Sequence, residues 1–339
     1  MTGRWAILLQ IALIGAVGAS GAALFMALGL PAAALTGSAL AMAAGVAMGL
    51  RGEVPRPLRS VAFVVLGVVI GAAMTPEAAA TLLKVPLAMV ALAVVMVVSI
   101  AASTFVLHRL GGWDRVTALC SSIPGALQVT LVVSAHNGAN MERVVIAQSL
   151  RLLLLVSAIP LLFGGEGAAL PGDGAGVVDT ALTLLLVVGC VVVFSRVPVP
   201  SALVIGPMVL SAVLSVTGAL TIAVPHLIAS AAFVTIGATV ALRFQTVTAK
   251  MLREALGLSL LAFVVAAAVT LIGSLLTVTF VDEPLGAVFL AFAPGGVDAM
   301  LALAYLLALE VEFVAALHVA RLLAISVLAP SLVAWWARR

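Results

Sequence analysis

Apolar runs of about 20 residues, the length that crosses a bilayer as a helix, recur along the whole chain, separated by short stretches holding Gly, Pro or charge. They predict helices over 5–28, 31–50, 59–74, 86–108, 115–136 and 143–163. A second set follows over 176–194, 200–217, 225–243, 254–277, 285–309 and 313–336. The stretch 164–176 is rich in Gly, acidic and free of Lys and Arg, and is the natural linker between a first membrane repeat, 1–163, and a second, 177–339. The first run is long and leads through Leu-Pro-Ala straight into the next, so it is expected to be a mature helix rather than a cleaved leader.

The two sets share a register. Residues 124–160 read PGALQVTLVVSAHNGANMERVVIAQSLRLLLLVSAIP, and 170 positions on, 294–330 read PGGVDAMLALAYLLALEVEFVAALHVARLLAISVLAP. No gap is needed, and Pro-Gly, Glu142 with Glu312, Arg151 with Arg321, and Pro160 with Pro330 all align. Only 9 of 37 positions are identical, and leucines alone align by composition, but charges do not, because charged residues make up 9% of the chain. The same offset pairs Gly67 with Gly237, and an offset of 169 pairs Pro31 with Pro200 and Gly37 with Gly206. The sequence therefore predicts an internal duplication over nearly its whole length.

Charge then sets the expected topology. Twelve alternating crossings leave the basic loop residues almost evenly divided. If one segment of each half returns to the side it enters, each half crosses five times and the second half is inverted. That arrangement collects 13 Lys and Arg on one side against Lys84 alone on the other, with Arg151 and Arg321 inside segments. The positive-inside rule favours it and places both termini in the cytoplasm and the linker outside. The expected fold is thus an all-α polytopic membrane protein of two inverted-topology repeats, with about ten crossings and one broken or re-entrant Pro-Gly segment in each half. The candidates for that segment are 115–136, with Pro124 and Gly125, and 285–309, with Pro294, Gly295 and Gly296. Proline removes a helix donor and glycine loosens the backbone. Such breaks are tolerated at membrane depth only against protein or water, so the two are expected to face each other inside the bundle. An ordinary proline kink in a crossing helix is the competing reading.

Arg151 and Arg321 each lie nine residues into an apolar run, with Gln148 and His318 one turn earlier on the same face. Intramembrane arginines face the interior and pair with an acid, a carbonyl or an anion. Two readings stand: a ligand or ion site, or a structural bond to carbonyls freed by the Pro-Gly breaks. Asp298, on the second broken segment and expected opposite Gln128, either neutralises Arg321 or carries a proton or cation. Glu142 and Glu312 open the last segment of each half, where the helix terminus favours a carboxylate with or without a functional role.

Composition narrows the function classes. Hydrophobic residues make up 64% of 339 and the mean hydropathy is +1.34, which excludes a soluble domain. The 30 glycines suit close helix packing in lipid. A net charge of +3 with basic residues scattered singly gives no nucleic-acid patch. Four histidines and two cysteines, Cys120 and Cys190, show no metal-ligand spacing, and no phosphate loop or nucleophile elbow occurs, so neither a metal nor a cofactor is expected.

The stretches PGALQVT…NGANMERVVIAQSLRLL and PGGVDAMLALAY…EVEFVAALHVARLL resemble the AbrB family of bacterial inner-membrane proteins over essentially the whole chain. That family has a duplicated domain, is named for regulating aidB expression, and its members are often labelled ammonia monooxygenases. Pro294, Gly295, Gly296, Met300, Glu312, Val314 and Arg321 match its pattern. The first repeat departs from it at Ala126 and Asn140, so the resemblance centres any site on the second repeat. It also implies an inner-membrane location and an indirect influence on gene expression. Monooxygenase chemistry needs clustered metal ligands, which the residues lack. The expected function is a secondary transporter or permease for a small solute, with the arginines leaning toward an anion or metabolite, and without enzymatic activity; a membrane sensor or scaffold is the alternative. Expected partners are a small solute or ion and membrane lipid, with homo-oligomer formation left open.

Overall fold

The computed structural model describes residues 2–74, 78–124, 127–164, 176–199, 201–247 and 249–338. Among them the fold is all-helical: α1 (Thr2–Ala27), α2 (Ala33–Ala47), α3 (Arg56–Ala72), α4 (Ala78–Phe105), α5 (Arg115–Ser122), α6 (Leu127–His136), α7 (Met141–Phe163), α8 (Val177–Phe194), α9 (Ala202–Val216), α10 (His226–Ala241), α11 (Ala249–Thr277), α12 (Leu285–Phe292), α13 (Val297–Leu306) and α14 (Val311–Ala337). A π-helical turn, Val106–Leu110, extends α4. Seven of these helices are long and apolar enough to cross a membrane, and α2, α9 and α13 are shorter apolar helices. The protein is therefore a polytopic membrane protein. Its outward leucines and valines, such as Leu9, Val94, Leu185 and Leu276, are exposed as lipid-facing side chains are.

The segments expected as single helices over 115–136 and 285–309 are each two helices. The first is interrupted between Ser122 and Leu127, the second between Phe292 and Val297. Proline explains the position of both breaks: Pro124 and Pro294 lack the N–H that would continue the ladder. Gly125, Ala126 and the linker residues 165–175 lie outside the described residues. One expected boundary moves, because α4 begins at Ala78 and holds Pro86 in its interior, where a membrane helix tolerates proline better than a soluble one.

Helix starts in the two halves fall in matching register. The pairs α3 and α10, α5 and α12, α6 and α13, and α7 and α14 each begin 170 residues apart, and α2 and α9 begin 169 apart. Ala32 and Ser201, immediately before α2 and α9, both adopt left-handed backbone with φ of 52° and 59°.

The chain forms two compact units, each drawing on both halves of the sequence. The first holds residues 1–79, 156–245 and 301–311. Glycines let its backbones touch: a Cβ on Gly67 would collide with the Val204 carbonyl of α9, and one on Gly237 with the Leu35 carbonyl of α2. Gly21 of α1 and Gly37 of α2 meet in the same way. Small residues at such crossings replace the hydrophobic drive that lipid removes. Ser211 adds a bond across the α3–α9 crossing, donating to the Val68 carbonyl at 2.7 Å.

The second unit holds residues 80–155, 246–300 and 312–339. Here α5 is seated by two apolar clusters. Leu119, Cys120 and Ile123 pack with Val133 of α6, Val144 of α7 and Ile325, Ala329 and Val333 of α14. Ala118 packs with Leu107, Trp113, Ile146 and Ala147, and with Ala255 and Ala262 of α11.

Candidate functional site

Helices α5 and α12 are eight residues long and stop at a proline, so the carbonyls of their last turns have no partner in their own helix. An arginine answers each break. Arg151 of α7, 7% exposed, donates through Nη1 to the carbonyls of Ser121 (3.5 Å) and Ser122 (3.3 Å), and through Nη2 to Ile123 (3.1 Å). Arg321 of α14, 3% exposed, donates through Nη1 to Ala293 (2.6 Å) and Phe292 (3.5 Å), and through Nη2 to Gly295 (2.8 Å). A guanidinium suits this task because its fork carries five donors, and a cation is favoured at the negative end of a helix.

Gln148 and His318 extend both clamps by one turn. Gln148 Nε2 donates to the Cys120 carbonyl at 2.9 Å, and His318 Nε2 reaches the Leu290 carbonyl at 3.1 Å. Cys120 and Leu290 are 170 positions apart, as are Gln148 and His318. His318 does more, since its Nδ1 lies 2.6 Å from Arg321 Nη2. Arginine has only donors, so Nδ1 accepts and the ring proton sits on Nε2, where it donates to Leu290.

Of the two sequence readings of the arginines, the bond to freed carbonyls describes their protein contacts. No carboxylate among the described residues reaches either guanidinium. Asp298, in the first turn of α13, is half-buried beside Gly296 and makes no ion pair among the described residues. The expected neutralisation of Arg321 by Asp298 is thus replaced by carbonyl and imidazole acceptors. The side chain of Gln128 lies outside the described residues, so its expected position opposite Asp298 does too. Leu152, next to Arg151, places Cδ1 4.0 Å from where a Cβ on Gly296 would stand.

Glu142 and Glu312 stand in the first turns of α7 and α14, the first exposed and the second half-buried, away from these clamps in sequence by more than two turns. The backbone N–H of Arg143 bonds the Asn140 side chain at 3.1 Å, so Asn140 caps α7. At the other end of the break, Asp114 caps α5 by accepting from the Thr117 N–H at 2.8 Å.

The two clamps differ in what surrounds them. Beside Arg151 lies a cavity of ≈ 20 Å³ bordered by Ser103 of α4, Ser121 and Ser122 of α5, and Ser259 and Phe263 of α11. Ser103 and Ser122 spend their hydroxyls on the carbonyls of Ala262 and Ala118. Ser121 and Ser259, each 3% exposed, have hydroxyls with no protein partner. Residues 170 positions away from these four serines are Gly273, Ala291, Phe292 and Met89, none with a hydroxyl. This cavity thus borders the first-repeat arginine, and the matching positions of the second repeat carry no hydroxyl. Sequence reasoning missed Ser103 and Ser259, whose only signal was a hydroxyl within a long apolar run.

Among the described residues no three His, Cys, Asp or Glu side chains come together as metal ligands. A model of the family described as "Transition state regulatory protein AbrB" matches residues 35–337. The chain is similar to "Putative regulator AbrB" of Escherichia coli (strain K12), 26% identical over 345 aligned positions that cover 97% of this chain and 95% of that protein. No solved structure matches.

Proposed function

The chain belongs to the AbrB family, and on that premise we propose that it is a secondary transporter or permease for a small solute or ion, built from two inverted repeats. The observation that carries this reading is the pair of interrupted helices, α5–α6 and α12–α13, each tied at its break by a buried arginine. Discontinuous helices meeting at depth are how many transporters expose backbone groups to a substrate while keeping them satisfied when it is absent. Duplication is supported by the matching helix starts and by reciprocal contacts in the first unit. Gly67 meets Val204 and Gly237 meets Leu35, so each α3-type helix packs on the α2-type helix of the other half. The charge distribution supports ten crossings in the bacterial inner membrane, with both termini cytoplasmic. Arg151, set beside uncommitted hydroxyls, is placed to meet a small polar solute, which supports the transport reading. The relative's name speaks of regulation; in this chain that influence would follow indirectly from the solute carried.

Transport is tested with the purified full chain in proteoliposomes, by following uptake of small anions and neutral solutes against empty vesicles. A saturable flux is expected, falling at least about tenfold in Arg151→Gln because a charged hydrogen bond worth about 1.5–3 kcal/mol is lost. Absence of any flux, with a persisting effect of gene deletion on expression, would replace the transporter by a membrane sensor or scaffold.

A further inference from the structure

We propose that the cavity beside Arg151 is a binding site for a small monovalent anion of halide size, with Arg151 supplying charge and the hydroxyls of Ser121 and Ser259 donating to the ion. The inference rests on the transport reading for its biological purpose but not for its chemistry.

Three observations point to one ligand class. The first is charge. Arg151 and Arg321 are both buried in one compact unit, and no carboxylate among the described residues reaches either. Two buried like charges without an acid leave an electrostatic deficit that neutral carbonyls offset only in part. An anion between helix faces relieves it, whereas a metal cation or a protonated amine worsens it. The second is hydrogen bonding. Seven buried hydroxyls among the described residues have no protein partner, and what sets Ser121 and Ser259 apart is that both border the same cavity as the guanidinium. They come from different helices, α5 and α11, so they converge on the space rather than on a shared backbone turn. Each can point its proton at an anion, since neither is committed elsewhere.

The third observation is size. A cavity of ≈ 20 Å³ exceeds the about 10–15 Å³ a single water requires and leaves no room for a carboxylate-bearing metabolite or a phosphate. Its remaining walls, Leu107, Ala147, Ala262, Phe263 and Ala266, are apolar, which suits a weakly hydrated halide better than a strongly hydrated oxyanion. The second clamp offers a contrast within the molecule. Arg321 takes His318 as an additional acceptor, and its equivalents of the four serines carry no hydroxyl. One arginine is closed off by its protein partners; the other has two uncommitted hydroxyls at its side.

The test uses the detergent-purified full chain in sodium gluconate, titrated with sodium chloride and sodium bromide at constant ionic strength, with heat of binding and thermal midpoint as readouts. Saturable halide binding and a rising midpoint are expected. Ser259→Ala and Ser121→Ala, which remove hydroxyls that hold nothing in the protein, should keep the fold and weaken halide binding about fivefold each, the effect of one ordinary hydrogen bond. Arg151→Gln should abolish it; if that variant fails to fold, the serine variants still decide. No halide effect beyond gluconate, or serine variants that titrate like the parent protein, would overturn the site and leave a water-filled cavity. Halide binding without any solute flux would retain the site and remove the transport reading. Flux of a larger solute, indifferent to halide replacement and to both serine variants, would do the reverse.

Discussion

Arg151 and Arg321 occupy the same place in two copies of one motif and do different amounts of work there. Both cap the carbonyls of an eight-residue helix that stops at proline. Arg321 does so with contacts of 2.6, 2.8 and 3.5 Å and a further bond to His318 Nδ1, while the described contacts of Arg151 run from 3.1 to 3.5 Å. A tight, multiply bonded guanidinium is a fixed structural part. A looser one next to uncommitted hydroxyls is suited to exchanging partners. If the proposed anion site holds, the difference teaches that two matching motifs can keep one arginine as a frame and leave the other for binding, with the change written in a few surrounding side chains.

The largest expected effect that would break this comparison is at the frame. Arg321→Ala leaves the Gly295 carbonyl and His318 Nδ1 without their donor and takes one of two donors from the Ala293 carbonyl, and should lower stability by about 2–5 kcal/mol, at about 1–3 kcal/mol for each buried acceptor left unsatisfied. Thermal unfolding in detergent measures it. Arg321→Lys should recover little, because an ammonium cannot reproduce the fork that spans Nη1 and Nη2 partners. A stable, well-folded Arg321→Ala protein would mean that the second clamp is not structural. Arg151→Ala should cost less, about 1.5–3 kcal/mol for longer charged hydrogen bonds, while removing solute flux entirely; a stability loss equal to that of Arg321→Ala would erase the proposed division of labour.

His318→Gln copies the first clamp into the second. The amide keeps a donor for the Leu290 carbonyl and an oxygen that can accept from Arg321, so a loss of about 1 kcal/mol is expected, one neutral hydrogen bond's worth of geometry. Calorimetry on the variant and on Gln148→His would show whether the imidazole is what tightens Arg321. A Gln148→His protein that binds halide as well as the parent would argue against the looseness of Arg151 being functional.

Much of this was legible before any coordinates. Apolar runs gave the helices, since lipid leaves a spanning chain few other ways to satisfy its backbone, and the offset of 170 followed Pro-Gly, Glu and Arg because charges in a 9% charged chain cannot align by accident of composition. The Pro-Gly breaks were legible because proline removes a donor wherever it stands. Carbonyls freed by the breaks were among the acceptors the sequence offered the arginines, but carbonyls carry no sequence letter, so neither which of them bond nor that Asp298 stays apart from Arg321 could be read. Ser103 and Ser259 were invisible for a related reason. A serine in a membrane helix usually bonds its own preceding turn, as Ser274 does to Thr270 at 2.8 Å. Only packing reveals that the Ser259 hydroxyl turns elsewhere.

The smallest effect is the sharpest discriminator between frame and site. Ser259→Ala, measured in gluconate, should change stability by less than about 0.5 kcal/mol, or raise it slightly, because it deletes a buried hydroxyl that no protein group satisfies. Ser211→Ala provides the reference in the other compact unit, where the hydroxyl donates to the Val68 carbonyl across the α3–α9 crossing; its loss should cost about 1 kcal/mol. Chloride should then separate the two variants further, stabilising Ser211→Ala as much as the parent and Ser259→Ala less, since only the second lacks a donor to the ion. Equal stabilisation of both variants by chloride would place the ion elsewhere and return Ser259 to ordinary helix packing.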